Sequence, residues 1–410
     1  MLVLFSQFLW RSVQLLSMIF RPLRGAPFSK RVKRFVILLF FVPALIILQL
    51  IHWVGFLIDE ILFFRYRKVS VRQPVFVLGV PRSGTTTVHK ALAQDTQYTS
   101  FKVWECLFAP SITERYLYLL IGAIDRVLGR PVHRLISWLE THSFKGLEDV
   151  HDMQLSDPEE DYLALMPVLL SFVLVVPFPQ ANWVWQMGFF DRDMSPKQRQ
   201  RVTTFYRRCL QKHLFVFGKE KTLLSKNASF ASMVGSLAET FADARFISCM
   251  RAPVETVPSQ ISSIAGGMKL FGNGAYRPEV NKRFIERMQF YYHNLLDVLP
   301  ALPADQQVFV NLPDLKQDLR GNIEMIYQRF GIVLSEHYNQ ALNQTSEGAR
   351  EYVTKHRYSM ADFGLSTDAI EKQFSDVESR YDFGAAIPEA TDAKNQAGDQ
   401  STTDKQIEAA

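Results

Sequence analysis

The sequence predicts an α/β fold: a P-loop-type parallel sheet flanked by helices, with a helical insertion and an N-terminal membrane-anchoring helical segment. Three observations predict it. From residue 73 onward, short apolar runs alternate with amphipathic stretches. A glycine-containing turn joins the first apolar run to a predicted helix. A strongly apolar stretch with basic flanks precedes this pattern.

Composition excludes several classes of protein. With 48% hydrophobic and 21% charged residues among 410, the bulk of the chain has enough apolar surface to fold. The three cysteines, Cys106, Cys209 and Cys249, are odd in number and scattered, which excludes a disulfide scaffold and favours a reducing compartment. The excess of 32 Phe over 14 Tyr favours contact with lipid.

The net charge of +5 is concentrated at one end of the chain. Residues 1–72 hold 11 Lys and Arg against 2 acids, a net charge of +9, and the remaining 338 residues have a net charge of −4. The basic excess therefore belongs to the N-terminus, and we expect no nucleic-acid partner.

The N-terminal segment is predicted to attach the chain to a bilayer. Residues 35–58 form a 24-residue apolar stretch, long enough to cross a membrane, with Gln49 and His52 as its clearly polar members. Six basic residues precede it and four follow, which favours a cytoplasmic N-terminus. Two alternatives stay open. Pro43 would break the segment into a re-entrant or interfacial hairpin, or residues 1–20, also apolar, would pair with it on a soluble domain.

The rest of the chain divides into one α/β domain at residues 73–384 and a disordered tail at 385–410, which has no aromatic residue. Residues 100–220 form the helical insertion, in which 163–178 is predicted to be a buried helix rather than a second span. The predicted strands are 74–79, 222–225, 245–250 and 307–310, and the predicted helices are 85–93, 229–241, 254–264 and 317–330.

The turn after the first strand has the form of an anion-binding loop. Gly79 and Gly84 keep the spacing of a nucleotide-triphosphate P-loop, but Thr85 stands where that loop has its lysine. The cation is supplied by Arg82 instead, which suits an anion that needs no metal ion. The predicted anion-binding residues are Arg82, Ser83, Gly84, Thr85 and Thr86.

A second candidate for anion binding follows the third long strand. Arg251 stands at the strand end, and Ser259 lies eight residues later, one to two turns into the next helix. Both side chains can therefore reach one phosphate group. Pro253 suits the start of this helix because its missing N–H costs nothing there.

Together these motifs resemble the sulfotransferases that use 3′-phosphoadenosine 5′-phosphosulfate (PAPS), in the branch that includes tyrosylprotein sulfotransferases and many microbial relatives. PRSGTT at 81–86 is similar to their 5′-phosphosulfate loop, and Arg251 with Ser259 to their 3′-phosphate site. KVWECL (102–107), TLLSKNASF (222–230) and HRYSMADFGLS (356–366) resemble further family segments, although Asn227 occupies the neighbourhood of a common proline. The resemblance spans about residues 73–382.

The resemblance implies PAPS as substrate, its 3′,5′-bisphosphate PAP as product, and no metal. Arg82 and Lys226 are expected to act at the leaving 5′-phosphate, and Tyr358 to cover the nucleotide. Glu105 is the first choice for the base that takes the proton of the acceptor, because the tyrosylprotein branch has a catalytic glutamate in that region. The alternative bases are Glu159, Glu160, His89 and His151.

The hypothesis is therefore a membrane-anchored sulfotransferase that acts on a hydroxyl, or an amine, of an amphiphilic acceptor such as a lipid or glycolipid. A P-loop kinase or nucleotide triphosphatase, and a non-catalytic membrane-tethered nucleotide-binding protein, are the alternatives. A donor made in the cytosol favours a catalytic domain that faces the cytoplasm. A lumenal placement would follow if residues 35–58 span the membrane with the N-terminus inside.

Overall fold

The computed structural model describes residues 1–21, 27–143, 160–350 and 363–384. Its centre is a five-stranded, all-parallel sheet with strand order β2-β3-β1-β4-β5. The strands are β1 Val75–Gly79, β2 Tyr98–Thr99, β3 Thr222–Lys226, β4 Arg245–Met250 and β5 Gln307–Asn311. The parallel sheet flanked by helices confirms the predicted fold class.

The four predicted strands are present within one residue at either end. β2 was not predicted, because a two-residue strand leaves no pattern in the sequence. Alternate side chains of β1 enter different cores. Phe76 and Leu78 belong to the larger core, which also holds the insertion, whereas Val75 and Val77 belong to a smaller one on the opposite face.

Sixteen α-helices are described around the sheet. They are α1 Leu2–Ile19, α2 Phe28–Leu62, α3 Thr85–Leu92, α4 Val103–Phe108, α5 Ile112–Val127, α6 Pro131–Ser143, α7 Asn182–Gly188, α8 Phe190–Asp193, α9 Pro196–Phe217, α10 Val234–Thr240, α11 Pro253–Leu270, α12 Arg277–Val298, α13 Leu312–Gln317, α14 Leu319–Arg329, α15 Glu336–Arg350 and α16 Thr367–Arg380.

Two predicted helices are interrupted. The predicted helix 229–241 is a 3₁₀ helix, Ala228–Met233, followed by α10. The predicted helix 317–330 is divided at Asp318, which ends α13 and accepts the Gly321 N–H at 2.9 Å to cap α14.

The apolar segment 163–178 is buried, as predicted, but it is not one α-helix. It contains two 3₁₀ helices, Asp161–Val168 and Phe172–Val175. Leu169, between them, has a left-handed φ of 53°, and Pro167 removes a backbone donor. These two local features prevent a continuous helix through the segment.

The N-terminal residues form two helices, α1 and α2, that pack on each other and on the domain. Pro43 lies inside α2 without breaking it, so the hairpin alternative is wrong. The Trp53 indole N–H donates to the Pro167 carbonyl at 2.8 Å, and Arg11 donates to the Val168 carbonyl at 2.8 Å. Both helices are long and apolar enough to cross a membrane, by length and composition alone. The predicted tail at 385–410 lies outside the described residues.

Candidate active site

The loop between β1 and α3 has the backbone geometry that an anion site needs. A Cβ at Gly79 would lie 2.1 Å from the Cys249 carbonyl oxygen, so only glycine fits where β1 ends against β4. Gly84 has a φ of +92° and begins α3, whose first-turn N–H groups have no partner within the helix. The Ser83 hydroxyl donates to the Val80 carbonyl at 2.6 Å and holds the turn. The loop therefore presents backbone donors at a positive helix end.

The two predicted anion-binding motifs meet in one cluster. The Arg251 Nη1 donates to the Arg82 carbonyl at 3.3 Å, and the Arg82 Nε donates to the Ser259 hydroxyl at 3.4 Å. β1 and β4 are neighbours in the sheet, which places both strand ends side by side. The Arg251 side chain is held by Glu255 at 2.7 Å, and its backbone carbonyl accepts the Tyr292 hydroxyl. The sequence spacing predicted that Arg251 and Ser259 share one site, and the resemblance to sulfotransferases implied that Arg82 lies near them.

Lys226 is the last residue of β3, which adjoins β1 on the side opposite β4. Its side chain is 5% exposed, and its Nζ lies 3.2 Å from Glu160 Oε1. Its backbone N–H donates to Asp161 Oδ1 at 3.2 Å. Lys226 pairs in register with Val77 on β1, so its backbone is at the same sheet edge as the loop after Gly79.

Asp161 is a buried acid beside Lys226. Burial raises the pKa of its carboxyl to about 7, against the opposing effect of hydrogen bonds from Tyr206, Ser225 and the Lys226 N–H. The Tyr206 hydroxyl donates to Asp161 Oδ2 at 2.6 Å. Asp161 is not among the bases predicted from the sequence, because its contact with the strand-end residue Lys226 cannot be derived from sequence spacing.

The raised pKa of Asp161 predicts a specific pH dependence of stability. The folded carboxyl holds its proton up to about pH 7, whereas the unfolded one releases it near its usual value of about 3.9. Its contribution to stability is therefore full below that value and is lost as the pH rises towards 7, at about 1 kcal/mol per pH unit. Urea unfolding at several pH values should show this loss in the wild type and not in Asp161→Asn. Asp305→Asn, at an exposed position, is the matched control and should keep the wild-type slope.

Glu105, the first-choice base, lies in a closed polar cluster. It is 1% exposed, and its Oε2 is 2.7 Å from His213 Nδ1 and 3.3 Å from Arg115 Nε. Its Oε1 accepts the Lys102 N–H at 3.3 Å, which closes the start of α4. The other His213 nitrogen is bound to the Thr99 hydroxyl at 2.8 Å. Among the described contacts, those of Glu105 do not include Arg82 or Lys226, and its role as base stays a prediction.

His89 is fully buried on α3, 3.1 Å from the Ser100 hydroxyl. Burial, together with the nearby charge of Lys226, lowers its pKa to about 3. It is therefore uncharged at neutral pH and is a poor proton acceptor. Glu159, His151 and Tyr358 lie outside the described residues. Of the predicted bases that the structure describes, only Glu160 contacts Lys226.

Other residues of the cluster complete the comparison with the sequence predictions. Thr85 is buried and Thr86 half-buried in the first turn of α3. Glu255, the partner of Arg251, was not predicted, although its i, i+4 spacing is a usable signal. In the described parts of the chain, no three His, Cys, Asp or Glu side chains are grouped closely enough to hold a metal ion.

Two curated relatives are similar to the chain in sequence. The omega-hydroxy-beta-dihydromenaquinone-9 sulfotransferases Stf3 of Mycobacterium bovis and of Mycobacterium tuberculosis are each 23% identical to the chain over 327 residues. Each alignment covers 77% of this chain and 76% of the relative.

Two crystal structures have the same fold. Sulfotransferase STF1 from Mycobacterium tuberculosis is 20% identical with a TM-score of 0.67, and the alignment covers 90% of this chain and 93% of that one. STF9 from Mycobacterium avium is 17% identical with a TM-score of 0.68, covering 93% and 96%. Both alignments extend into residues 1–72, because the residues after position 72 make up a smaller share of the chain.

A model of the sulfotransferase family matches residues 74–336. This range includes β1, β3, β4 and β5 and the site residues Arg82, Lys226, Arg251 and Ser259, which we call the cationic cluster. That match extends over more than half of the sequence, from just before β1 to the first residue of α15. The chain therefore belongs to the sulfotransferase family.

Proposed function

We propose that the chain is a membrane-attached sulfotransferase that moves a sulfuryl group from PAPS to a hydroxyl, or an amine, of an amphiphilic acceptor. The observation that carries this proposal is the meeting of Arg82, Arg251 and Ser259 at one sheet edge, with Lys226 at the end of the next strand. PAPS carries anionic groups at both its 5′ and 3′ positions. A single cationic site that combines Arg82 from the first motif with Arg251 and Ser259 from the second suits a molecule with two anionic groups.

The cluster can stabilise sulfuryl transfer by charge and position. The acceptor oxygen forms a bond to sulfur as the bond between sulfur and the 5′-phosphate oxygen breaks, and PAP leaves with that electron pair. Arg82, Lys226 and the N–H groups at the start of α3 stabilise the charge that develops on the leaving phosphate. Arg251 and Ser259 hold the 3′-phosphate, so the donor is fixed at two points.

Glu160 is our proposed base. Its side chain is 24% exposed, and it touches the cation that we assign to the leaving group. Glu105, in contrast, is almost wholly buried and is already bound by His213 and Arg115. A carboxylate must come within hydrogen-bond reach of the acceptor proton, and Glu160 is the more exposed of the two. We assign Glu105 the role of fixing α4 and β2.

An amphiphilic acceptor is favoured by two features. The exposed apolar residues of α1 and α2 give the chain a surface suited to lipid. The curated relatives are named for an omega-hydroxy menaquinone. We extend this to a hydroxyl-bearing lipid or glycolipid for the present chain. The three cysteines are buried thiols that form no disulfide, which fits a catalytic domain that faces the reducing cytoplasm.

A transfer assay tests the proposal. With radiolabelled PAPS and lipids extracted from the host membrane, we expect label in the lipid fraction. In parallel, PAP in the presence of EDTA should raise the melting temperature by several degrees, and ATP with magnesium should not. Stabilisation by magnesium ATP alone would contradict the proposed donor. Stabilisation by PAP without transfer to any acceptor would indicate a non-catalytic binding protein.

A further inference from the structure

The long helix α2 is docked on the domain along one side for most of its length. Near its start, Arg34 is buried and donates to the Phe271 carbonyl at 2.9 Å. Near its end, Asp59 is 0% exposed and lies 2.6 Å from Lys212 Nζ. The buried residues between and including these two recur at helical spacing: Arg34, Leu38, Val42, Gln49, His52, Trp53, Phe56 and Asp59.

This docking is incompatible with a span. Arg34 and Asp59 are about 38 Å apart along the helix axis, which exceeds the roughly 30 Å hydrocarbon core of a bilayer. If α2 crossed the membrane, the domain surface that it covers would enter the hydrocarbon with it. That surface includes the backbone around Pro167 and Phe271 and the buried charge of Lys212.

The opposite side of α2 is apolar and exposed, and it continues onto neighbouring helices. α1 packs beside α2, with the Phe5 and Trp53 rings 5.0 Å apart. α5 begins on α2, where Asp59 accepts the Ile112 N–H at 2.9 Å. We call the exposed apolar side chains of these helices and α6 the apolar face: Leu2, Leu9, Trp10, Val13, Phe35, Leu39, Phe40, Ile47, Leu50, Ile51, Val54, Leu57, Leu117, Leu120, Ile121, Ile124, Val127, Leu128, Val132, Leu135, Ile136 and Trp138.

α5 exposes apolar side chains in its middle and at its C-terminal end, which is unfavourable in water. Six consecutive residues, 116–121, are all large, apolar or aromatic, and exposed. Val127, the last residue of α5, is 86% exposed, and Leu128, which follows it, is 68% exposed. The buried carboxylate of Asp125 accepts the Val132 N–H at 2.7 Å and fixes the hairpin between α5 and α6. A rigid hairpin thus holds an apolar tip outside the domain.

The charge around the apolar face is of one sign. Every exposed charged side chain that the structure describes within residues 1–72 and 112–138 is basic. The acids of these ranges are buried or, like Glu60, half-buried and bonded to Tyr66 and Arg67. A second copy of the same face would repel this charge, whereas an anionic lipid surface would attract it. The exposed basic residues are Arg21, Lys30, Arg31, Lys33, Arg65, Arg67, Lys68, Arg72, Arg126, Arg130, His133 and Arg134.

We propose that the protein binds a bilayer containing anionic lipids from one side, with α2 lying in the plane of the membrane and the α5–α6 hairpin inserted. This proposal rests on the membrane attachment in the proposed function. It differs from a transmembrane anchor in that α2 stays docked on the domain and does not span the bilayer. The catalytic domain and both ends of α2 then lie on the same side of the bilayer.

Flotation with vesicles tests the apolar face. Leu117→Glu combined with Leu120→Glu should weaken binding to vesicles of phosphatidylcholine with phosphatidylglycerol by roughly a hundredfold, since two side chains leave the hydrocarbon. Vesicles of phosphatidylcholine alone should bind the wild type less well. Val333→Glu, at an even more exposed apolar position on the loop after α14, is the control and should bind as the wild type does. Absence of wild-type binding, or burial of the face in a stable dimer, would overturn the proposal.

Labelling distinguishes an in-plane helix from a spanning one. Ser29→Cys places an exposed thiol at the start of α2, and Ser70→Cys places one beyond its end, after the short 3₁₀ helix Phe64–Lys68; the three native cysteines are buried. In sealed vesicles with one orientation, an impermeant maleimide should label both positions or neither. Labelling of one position alone would show that α2 spans. Stabilisation of each variant by PAP reports folding and donor binding independently of the membrane. A labelling result that contradicts the in-plane helix would therefore not contradict the proposed reaction. Likewise, absence of sulfuryl transfer would not contradict the proposed membrane contact.

Discussion

Replacement of Arg82 by alanine is expected to lower kcat/KM for sulfuryl transfer by roughly a thousandfold, the scale on which loss of one charge-stabilising group slows such reactions. Arg82 is the cation of the phosphate loop, and its side chain reaches Ser259 across the site. Its removal takes away both the positive charge that we assign to the leaving group and one link between the two motifs. Radiolabelled transfer under single-turnover conditions is the measurement.

Two further variants serve as a control and a comparison for Arg82→Ala. Lys90→Ala removes an exposed cation from α3, the helix after the loop that holds Arg82, and should leave kcat/KM within about twofold. Arg251→Ala should chiefly weaken PAP binding, because its proposed contact is with the 3′-phosphate rather than the reacting group. If Arg82→Ala retained full activity, the assignment of the phosphate loop would be wrong.

The second large effect concerns the base. Glu160→Gln is expected to lower kcat by roughly a hundred- to ten-thousandfold with little change in PAP affinity, because the amide cannot take a proton. Glu105→Gln should instead lower the melting temperature, since it disturbs a buried carboxylate bound by His213 and Arg115. Glu239→Gln, at an exposed position on α10, should affect neither quantity.

The same two variants, Glu160→Gln and Glu105→Gln, can also contradict the assignment of Glu160 as the base. Full activity of Glu160→Gln, together with an inactive but normally stable Glu105→Gln, would return the base to Glu105. That outcome would require the Glu105 cluster to open when the substrates bind, since the residue is 1% exposed in this structure.

The sheet was predictable because its strands are buried on both faces. Each of the four longer strands, β1, β3, β4 and β5, is a short apolar run in the sequence. Such a run can be recognised from the local sequence without knowing which strands lie beside it. The meeting of Arg82 with Arg251 was predictable for a related reason. Both follow parallel strands, whose carboxyl ends lie at one edge of the sheet.

The environment of the acids was not predictable in the same way. Glu105 and Glu160 are both glutamates near helix starts, and only the packing of the insertion buries one and sets the other against Lys226. In α2, Arg34, Gln49, His52 and Asp59 interrupt an apolar run, which disguised their common face. Had their helical spacing been considered, they would have indicated docking on protein rather than passage through lipid.

The order of the strands has a consequence for how this enzyme can diversify. The residues that we assign to the donor follow β1 and its two neighbours β3 and β4, whereas the chain between β2 and β3 supplies Glu160 and the α5–α6 hairpin. Under the proposed function, substitutions in α5 and α6 would change the membrane-facing surface and leave the assigned donor residues in place. Changes of membrane contact and changes of the reaction would then arise in separate parts of one chain.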